Sequence, residues 1–560
     1  MGQYVGARYV PDITGNAYDP TQAYENLVVV DNGMGTSYIS RKPVPPGIPL
    51  SNTEYWALYG AANGAIINLQ NQIDKIKEGF VTPEMFGAAG DGVTDDTHAI
   101  NDAIAACPNV VFLNKTYMVD ADTGIRPLDG TSLFLSEDTI LKAISPVSDL
   151  SHVIYLYDVE NVSISGGTID GNRGSTSNYS QFGHCILLET AKNVTIENMK
   201  LINAKGDGIA INSKYLGDDD WSVVLPSENV KIENCYINNC GRNGISPVAV
   251  EGLIIRDCEI SDIVGNNPQA GIDIEVNNDS YPVKDFILEN LYIHDCTNYE
   301  LIIPRAAVNG RVTNCTFDGS VRIERGENVT LNDSYISNTL EIHSRDGNDK
   351  YVTNCNIGSI VMYAQMPYNL FIDDCIFDGS RVIGQPTINA TGGADQTGNL
   401  KVKFNGCTFI DNGTTELFSI VRKAEEFKLI GCIIKNLHSK PSLFANNLFV
   451  MDGCEIVGGR CAFNLYSPTA IIKNNYFDIS NNIGSYGFII SLEGVTSDIH
   501  CDYNIVKGTA TETYFIRANY GEATAGCVAF NEIRQYSDTY VMQTDGSNSI
   551  KTAYNLLSTT

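Results

Sequence analysis

Positive charge is scarce in this chain. Its 560 residues carry 37 Lys and Arg against 66 Asp and Glu, a formal net charge of −29. A nucleic-acid partner asks for the opposite sign, so none is expected. Long apolar runs are missing too. None approaches the roughly 20 residues of a membrane-spanning helix, although 43% hydrophobic residues leave ample material for a core. The start, Met1-Gly2-Gln3-Tyr4-Val5-Gly6-Ala7-Arg8, has no basic patch followed by an apolar stretch, and Gly6 stands where myristoylation needs Ser or Thr. Synthesis and folding in a cytoplasm are the expectation. No CxxC pair suggests zinc. The 15 cysteines are an odd number, and most fall at equivalent places in a repeat, which points to buried reduced thiols.

That repeat is the strongest feature present. A polar or small residue, a Cys, any residue, then Ile or Phe recurs: Asn234-Cys235-Tyr236-Ile237, Asp257-Cys258-Glu259-Ile260, Asn314-Cys315-Thr316-Phe317, Asn354-Cys355-Asn356-Ile357, Asp374-Cys375-Ile376-Phe377, and likewise at Cys407, Cys432 and Cys454. Weaker copies stand at Met199, Leu291, Ser334 and Asn475. Copies lie roughly 19 to 36 residues apart, the spacing of a stacked solenoid. Each follows a short alternating stretch such as Val230-Lys231-Ile232, which is strand period. A further strand lies between copies, as in Gly271-Ile272-Asp273-Ile274. Two or three short strands per turn, with Gly and Asn at the corners, predict an all-β fold: a right-handed single-stranded parallel β-helix. Asn234, Asn314, Asn354 and Asn474 are expected to form a hydrogen-bonded ladder up the stack.

Residues 1–60 differ and predict a small β module, particle-anchoring or carbohydrate-binding. Its aromatics, including Trp56, Tyr18, Tyr24, Tyr38, Tyr55 and Tyr59, suit either sugar stacking or a core. Residues 61–80 predict a short helix. Ile66, Leu69, Ile73 and Ile76 make a coiled-coil seam that favours a trimer, or a face docked on the solenoid end. The β-helix then occupies 81–560, opened by a capping segment over 81–107.

That segment, Phe86-Gly87-Ala88-Ala89-Gly90-Asp91-Gly92-Val93-Thr94-Asp95-Asp96-Thr97-His98-Ala99-Ile100, closely resembles the opening of the pectate-lyase-like superfamily, including phage tailspikes and appendages. The resemblance extends over residues 81 to about 540. It implies a β-helix whose end is plugged by an amphipathic helix, here with Ile100, Ala103, Ile104 and Ala106 as the apolar stripe and Thr94 or Asp95 as cap. It also implies a polysaccharide substrate. Reaction type does not follow, because such solenoids host lyases, hydrolases, esterases and binders. Asp91, Asp95 and Asp96 lack the closing Glu of an EF-type calcium loop, so helix capping is expected of them.

Aligning the coils puts Ile186, Ile209, Ile245, Ile272, Val321 and Leu340 in one inward column. The alternate residues face outward, toward solvent: Leu187, Ala210, Ser246, Asp273, Ile302, Arg322 and Glu341, then Glu189, Asn212, Val248, Glu275, Pro304, Glu324 and His343. His184, Asp207 and Asn243 precede the strand, with Arg242 adjoining. Glycoside hydrolysis uses two carboxyl groups. Asp207 and Asp273, two coils apart, are expected roughly 9 to 10 Å from one another, and Asp273 and Glu275 about 6.5 Å apart along one strand. Either spacing admits a water and suits inversion. Asp207, Asp273 and Glu275 are therefore the candidate catalytic residues. His184, Arg242, Asn212, Arg322 and Glu324 are the candidate substrate-binding ones, with Arg242 as a two-point anchor for an anion. The segment Gly206-Asp207-Gly208-Ile209 and the segment Thr168-Ile169-Asp170-Gly171 are similar to parts of polygalacturonase-type hydrolases. Gly208 replaces the second Asp of that family's pair and its His-Gly and Arg-x-Lys segments are absent, which speaks against a galacturonase mechanism.

These readings predict a phage tailspike that binds and depolymerises host surface polysaccharide, most simply as an endo-glycoside hydrolase without metal or cofactor. A non-catalytic receptor-binding spike is the alternative from another class. A lyase, for which calcium would serve, or a teichoic-acid-cleaving enzyme is the chemical alternative. The expected partners are bacterial surface polysaccharide, virion tail or neck proteins bound through the N-terminus, and two further copies in a homotrimer, with no insertion into a membrane. The expected place of action is the virion at the host surface.

Overall fold

The computed structural model describes residues 3–5, 8–10, 17–25, 28–32, 37–58, 79–144, 148–174, 179–215, 224–276, 281–304, 306–344, 346–364, 366–382, 384–390, 400–411, 413–435, 442–458, 463–466, 469–479, 488–492, 498–508, 514–518, 525–529, 531–534, 542–543, 549–553 and 556–558. The chain divides into two compact units, Met1–Phe80 and Val81–Thr560. The expected coiled-coil seam of Ile66, Leu69, Ile73 and Ile76 lies outside the described residues. In the first unit Val29–Asp31, Ser37–Ser40 and Trp56–Leu58 form an antiparallel sheet. Trp56 and Tyr24 are buried against Val30 and Val44, their rings 5.4 Å apart. These two aromatics thus build the core of the unit.

The second unit is a parallel β-helix. Its coils repeat three strands, each pairing with the equivalent strand of the next coil. Lys192–Glu197 lies on Ser227–Glu233, which lies on Val250–Arg256. Lys200–Ile202 lies on Tyr236–Asn238, then Glu259–Ser261. Ile209–Asn212 lies on Ile245–Pro247, then Ala270–Asp273. Alternation sets the facing: Val230 and Ile232 are buried while Lys231 is exposed. Farther along, the last two strands of a coil fuse into Tyr335–Ser344 and Asn356–Ala364. The helix Thr97–Ala106 packs Ile100, Ala103 and Ile104 against the core. Ala106 is exposed instead of joining that stripe, because six residues past Ile100 a helix of 3.6 residues per turn faces elsewhere. Asp95 accepts from the Thr97 N–H at 3.0 Å, and Asp96 accepts from the N–H groups of Ala89 (2.6 Å) and Gly90 (3.1 Å). The N-cap position is thus Asp96, whose side chain ties down the preceding loop and makes no bond to the helix; Asp95 holds the first helical N–H, and Thr94 bonds Asp91 instead of capping.

The repeated phrase is a corner. Asn198, Asn234, Asp257, Asn290, Asn314, Asp333, Asn354, Asp374 and Asn474 all take the left-handed conformation, with φ between 50° and 58°. Asn and Asp tolerate it best among residues with a side chain, and Gly406, Gly431 and Gly453 take over the position at φ 66°, 60° and 66°. The Asn amides bond from coil to coil: Asn234 Nδ2 to Asn198 Oδ1 at 2.6 Å, Asn354 Nδ2 to Asp333 Oδ1 at 2.6 Å, Asn474 Nδ2 to Asp452 Oδ1 at 2.9 Å. The following Cys turns inward, and its thiol points at a carbonyl of an adjoining coil, as in Cys407 to Ile372 O (3.4 Å) and Cys454 to Leu429 O (3.4 Å). All eight ladder cysteines are free thiols. Near the end Asn475, Asn504 and Asn531 occupy the inward position and bond to one another, Asn475 to Asn504 and Asn504 to Asn531, both at 2.9 Å. We expect Asn354→Ala to cost about 1–2 kcal/mol, the price of a left-handed residue with a Cβ, plus the ladder bond. Asn354→Gly is expected to cost less. The unfolding midpoints of the two variants give the comparison.

Candidate functional site

Register fixes the columns. Ile186 pairs with Ile209, Ile209 with Ile245 and Ile245 with Ile272, while Leu301, Val321 and Leu340 continue the inward file. Leu187, Ala210 and Ser246 pair in turn on the opposite side, and Asp273, Ile302, Arg322 and Glu341 continue that file. Outward does not mean solvated here. Ser246 is 1% exposed and Asp273 0%, and His184, Asp207 and Arg242 are buried as well. Three described residues between Asp170 and His184 pack against later coils beside this corner. Ser180 N–H donates to Lys205 O at 2.9 Å, Arg173 Nε to Asn239 O at 3.2 Å, and the Tyr179 ring lies against Gly241 and Gly265. A strand pattern gives the direction of a side chain but not what a connecting segment lays over it.

The buried residues form one network centred on Asp207. Arg242 Nη1 donates to both Asp207 oxygens (3.2 and 3.0 Å), and Nη2 bonds Glu275 Oε2. Asn243 N–H donates to Asp207 Oδ1 at 3.0 Å. The Asn243 amide reaches Ser246 Oγ at 2.9 Å and Asp273 Oδ2 at 3.4 Å, while its carbonyl accepts from Ala270 N–H at 3.0 Å. His184 Nδ1 accepts the Asp207 backbone N–H at 3.2 Å. Its approach to Asp207 Oδ2, 3.5 Å, is therefore no ion pair. Burial and Arg242 push this imidazole down to about 3, so it is neutral. His152, stacked on it at 5.3 Å, is likewise held neutral, chiefly by burial. His184 is thus a buried acceptor and not a charged orienting group. Arg242 is already held by two carboxylates, which corrects its reading as an open anion anchor. Burial alone would lower its pKa, and Asp207 and Glu275 more than reverse this.

Asp273 differs from its neighbours. Among the described residues Oδ2 meets only the Asn243 amide, and Oδ1 has no partner. Burial first, and then the Glu275 charge, push its carboxyl up to about 8, so it carries a proton at neutral pH. Burial also raises Asp207 above the usual carboxylate range, against the pull of Arg242. The strand ends at Asp273, and Glu275 N–H donates back to Asp273 O at 2.9 Å. That tight three-residue turn replaces the straight strand and 6.5 Å spacing expected for the pair. The Glu275 side chain is 32% exposed and is the open edge of the network. A buried neutral carboxylic acid beside a second, more open carboxyl group is an arrangement that general acid–base chemistry uses. Asn243 and Ser246 are the members that sequence reasoning left without a role, although both stood in its columns.

Arg322 and Glu324 do not join this network. They lie two coils on, roughly 10 Å along the axis, in a more open cluster. Arg322 pairs with Glu324 and, at 3.5 Å, with Glu341 Oε2. Tyr299 Oη lies 3.4 Å from both Glu341 oxygens. His343 Nε2 is 3.4 Å from Glu341 Oε2, and its ring lies 4.2 Å from that of Tyr363. Burial would raise the Glu341 carboxyl, but His343, Arg322 and Tyr299 hold it below the usual range. Asn212 is half-buried and in register with Glu189, whose carboxylate accepts from Tyr155 Oη. Among the described residues no group of three or more His, Cys, Asp or Glu is arranged to hold a metal ion.

Two outcomes follow from the buried charges. Arg242→Met leaves Asp207 buried without its counter-ion, and a loss of about 3–5 kcal/mol is expected in chemical denaturation. Asp273 has a folded pKa above its unfolded one. Its contribution to stability is therefore full below about pH 4 and is lost as pH rises through about 8. Thermal midpoints measured from pH 5 to 9 should fall for the native chain and flatten in Asp273→Asn.

Comparison with known proteins agrees with this architecture. The family described as "Right handed beta helix region" matches residues 114–284 and 223–379. An uncharacterized protein of Bacillus subtilis (strain 168), YclG, is 30% identical over 217 residues, covering 34% of this chain and 37% of the relative. The pre-neck appendage protein of Bacillus phage B103 is 28% identical over 235 residues, 39% of this chain and 27% of the relative. A depolymerase of Klebsiella phage K64-1, described as capsule K30/K69-specific, is 23% identical over 235 residues, 39% of this chain and 27% of the relative. The chain thus spans about a third of the length of the curated relatives it matches. The chain is a right-handed parallel β-helix protein whose relatives include phage appendage proteins and a phage capsule depolymerase.

Proposed function

We propose that this chain is a virion appendage that binds a bacterial surface polysaccharide and cleaves it by hydrolysis. The observation that carries the reading is the protonated Asp273 next to Glu275, on a solenoid related to appendage and depolymerase proteins. In this reading Asp273 gives its proton to the glycosidic oxygen as the bond to the anomeric carbon breaks. Glu275 takes a proton from the water that adds to that carbon. Arg242 holds Glu275 ready on one side and Asp207 on the other, and Asn243 positions Asp273. Because Asp273 is enclosed, the reaction requires the Arg242–Glu275 pair to open as the polymer seats. The N-terminal unit would attach to the particle, and three copies would assemble through residues 61–80.

The same enclosure favours a second reading, a receptor-binding spike without catalysis, in which the network braces the coils. Proton abstraction of the lyase kind gains no support from Arg242, which keeps its proton between two carboxylates. Single variants separate the readings when binding and cleavage are assayed apart. Asp273→Asn and Glu275→Gln should each lower product formation by at least about 100-fold while retention on the polysaccharide stays within about threefold. Cleavage should also decline as pH rises through about 8, where Asp273 loses its proton. Retention on a glycan with no product from the native chain would establish the spike instead.

A further inference from the structure

Resting on that polysaccharide reading, we infer that the polymer this strip takes is uncharged, built of neutral sugars and free of uronate or phosphodiester units. Between the coils of His184 and Tyr363, the outward columns and their entry positions carry six carboxyl groups, those of Glu189, Asp207, Asp273, Glu275, Glu324 and Glu341. Among the described residues the guanidinium groups here are that of Arg322, within the columns, and that of Arg242, which adjoins the entry residue Asn243. Both are already committed. Arg242 lies between Asp207 and Glu275, and Arg322 between Glu324 and Glu341 with Tyr299 at its edge. Arg325, one residue beyond the second column, is engaged as well.

Recognition of a carboxylate or phosphate on a polymer uses an Arg or Lys fork presented to it. To bind one here, the anion would have to displace a protein carboxylate. That carboxylate would then sit desolvated beside a second negative charge. The long-range field is unfavourable too, since the whole chain carries −29. What the strip does present suits an uncharged sugar. Tyr299 and Tyr363 are half-buried at one end, with the His343 ring 4.2 Å from Tyr363. Rings of this kind cover the apolar face of a pyranose, and the Glu275 and Glu341 carboxylates accept hydrogen bonds from hydroxyl groups. Repulsion from the acids then selects against charged polymers.

The test uses the full chain and a panel of purified bacterial polysaccharides in three groups: uncharged, uronate-containing, and phosphodiester-linked wall polymers. Retention and product mass are read at 50 and 500 mM NaCl. Binding and products confined to the uncharged group, with affinity changing less than about twofold across that salt range, are expected. Tyr363→Ala should weaken that binding at least about fivefold while the thermal midpoint holds. Activity on a uronate or phosphodiester polymer, with affinity falling more than tenfold as salt rises, would overturn the inference and leave the polysaccharide reading standing. No retention in any group would overturn both.

Discussion

Backbone bonds between successive coils hold Ile186, Ile209, Ile245 and Ile272 in one inward file. Because side chains alternate along a strand, the same bonds line up Leu187, Ala210, Ser246 and Asp273 on the other side. A slip of one residue would exchange the two files and drive charge into the core. The left-handed corner guards against that slip. At the described corners an Asn, Asp or Gly, and Tyr503 in one case, fixes where the strand ends, and an inward Cys or Asn after it closes on a carbonyl of an adjoining coil, as Cys407 and Asn504 do. The columns that bring Asp207, Arg242 and Asp273 together, although 35 and 31 residues separate successive members in sequence, are a consequence of this register.

The network shows how burial and pairing divide the work between similar groups. Asp207 and Asp273 are both enclosed carboxyls. Asp207 has a guanidinium with two contacts and a backbone N–H, so its charge is compensated. Among the described residues Asp273 has one long amide contact and an oxygen with no partner, so it keeps its proton. Glu275, on the turn that follows, reaches solvent and shares the guanidinium. One arginine thus serves a buried and an open carboxylate, and the acid that lacks it becomes the proton donor.

Much of this was legible in the chain itself. The recurring Asn-Cys phrase specified both the corner and the ladder, because few residues tolerate a left-handed backbone and a solenoid repeats its exceptions. The columns containing Asp207, Asp273, Arg322 and Glu324 could be written from alternation alone. Three things could not. Arg173, Tyr179 and Ser180 stand in a stretch without strand period, so their packing against Asn239, Gly241 and Lys205 left no signal. The reversal after Asp273 looks like strand, since Ile274 and Glu275 continue the alternation, yet the backbone turns there. Trp56 and Tyr24 read equally well as sugar platforms or as core, and only their mutual packing distinguishes the two.

The central claim is that Asp273 is a neutral acid at physiological pH, held so by its surroundings. Infrared difference spectra of the intact chain, recorded between pH 6 and pH 9 for the native protein and for Asp273→Asn, test it directly. A protonated-carboxyl band that disappears with a midpoint near 8 and is missing from the variant is the predicted result. Glu300, which burial pushes up to about 7, gives a second band common to both proteins; spectra of the two proteins that do not differ across this range would contradict the claim.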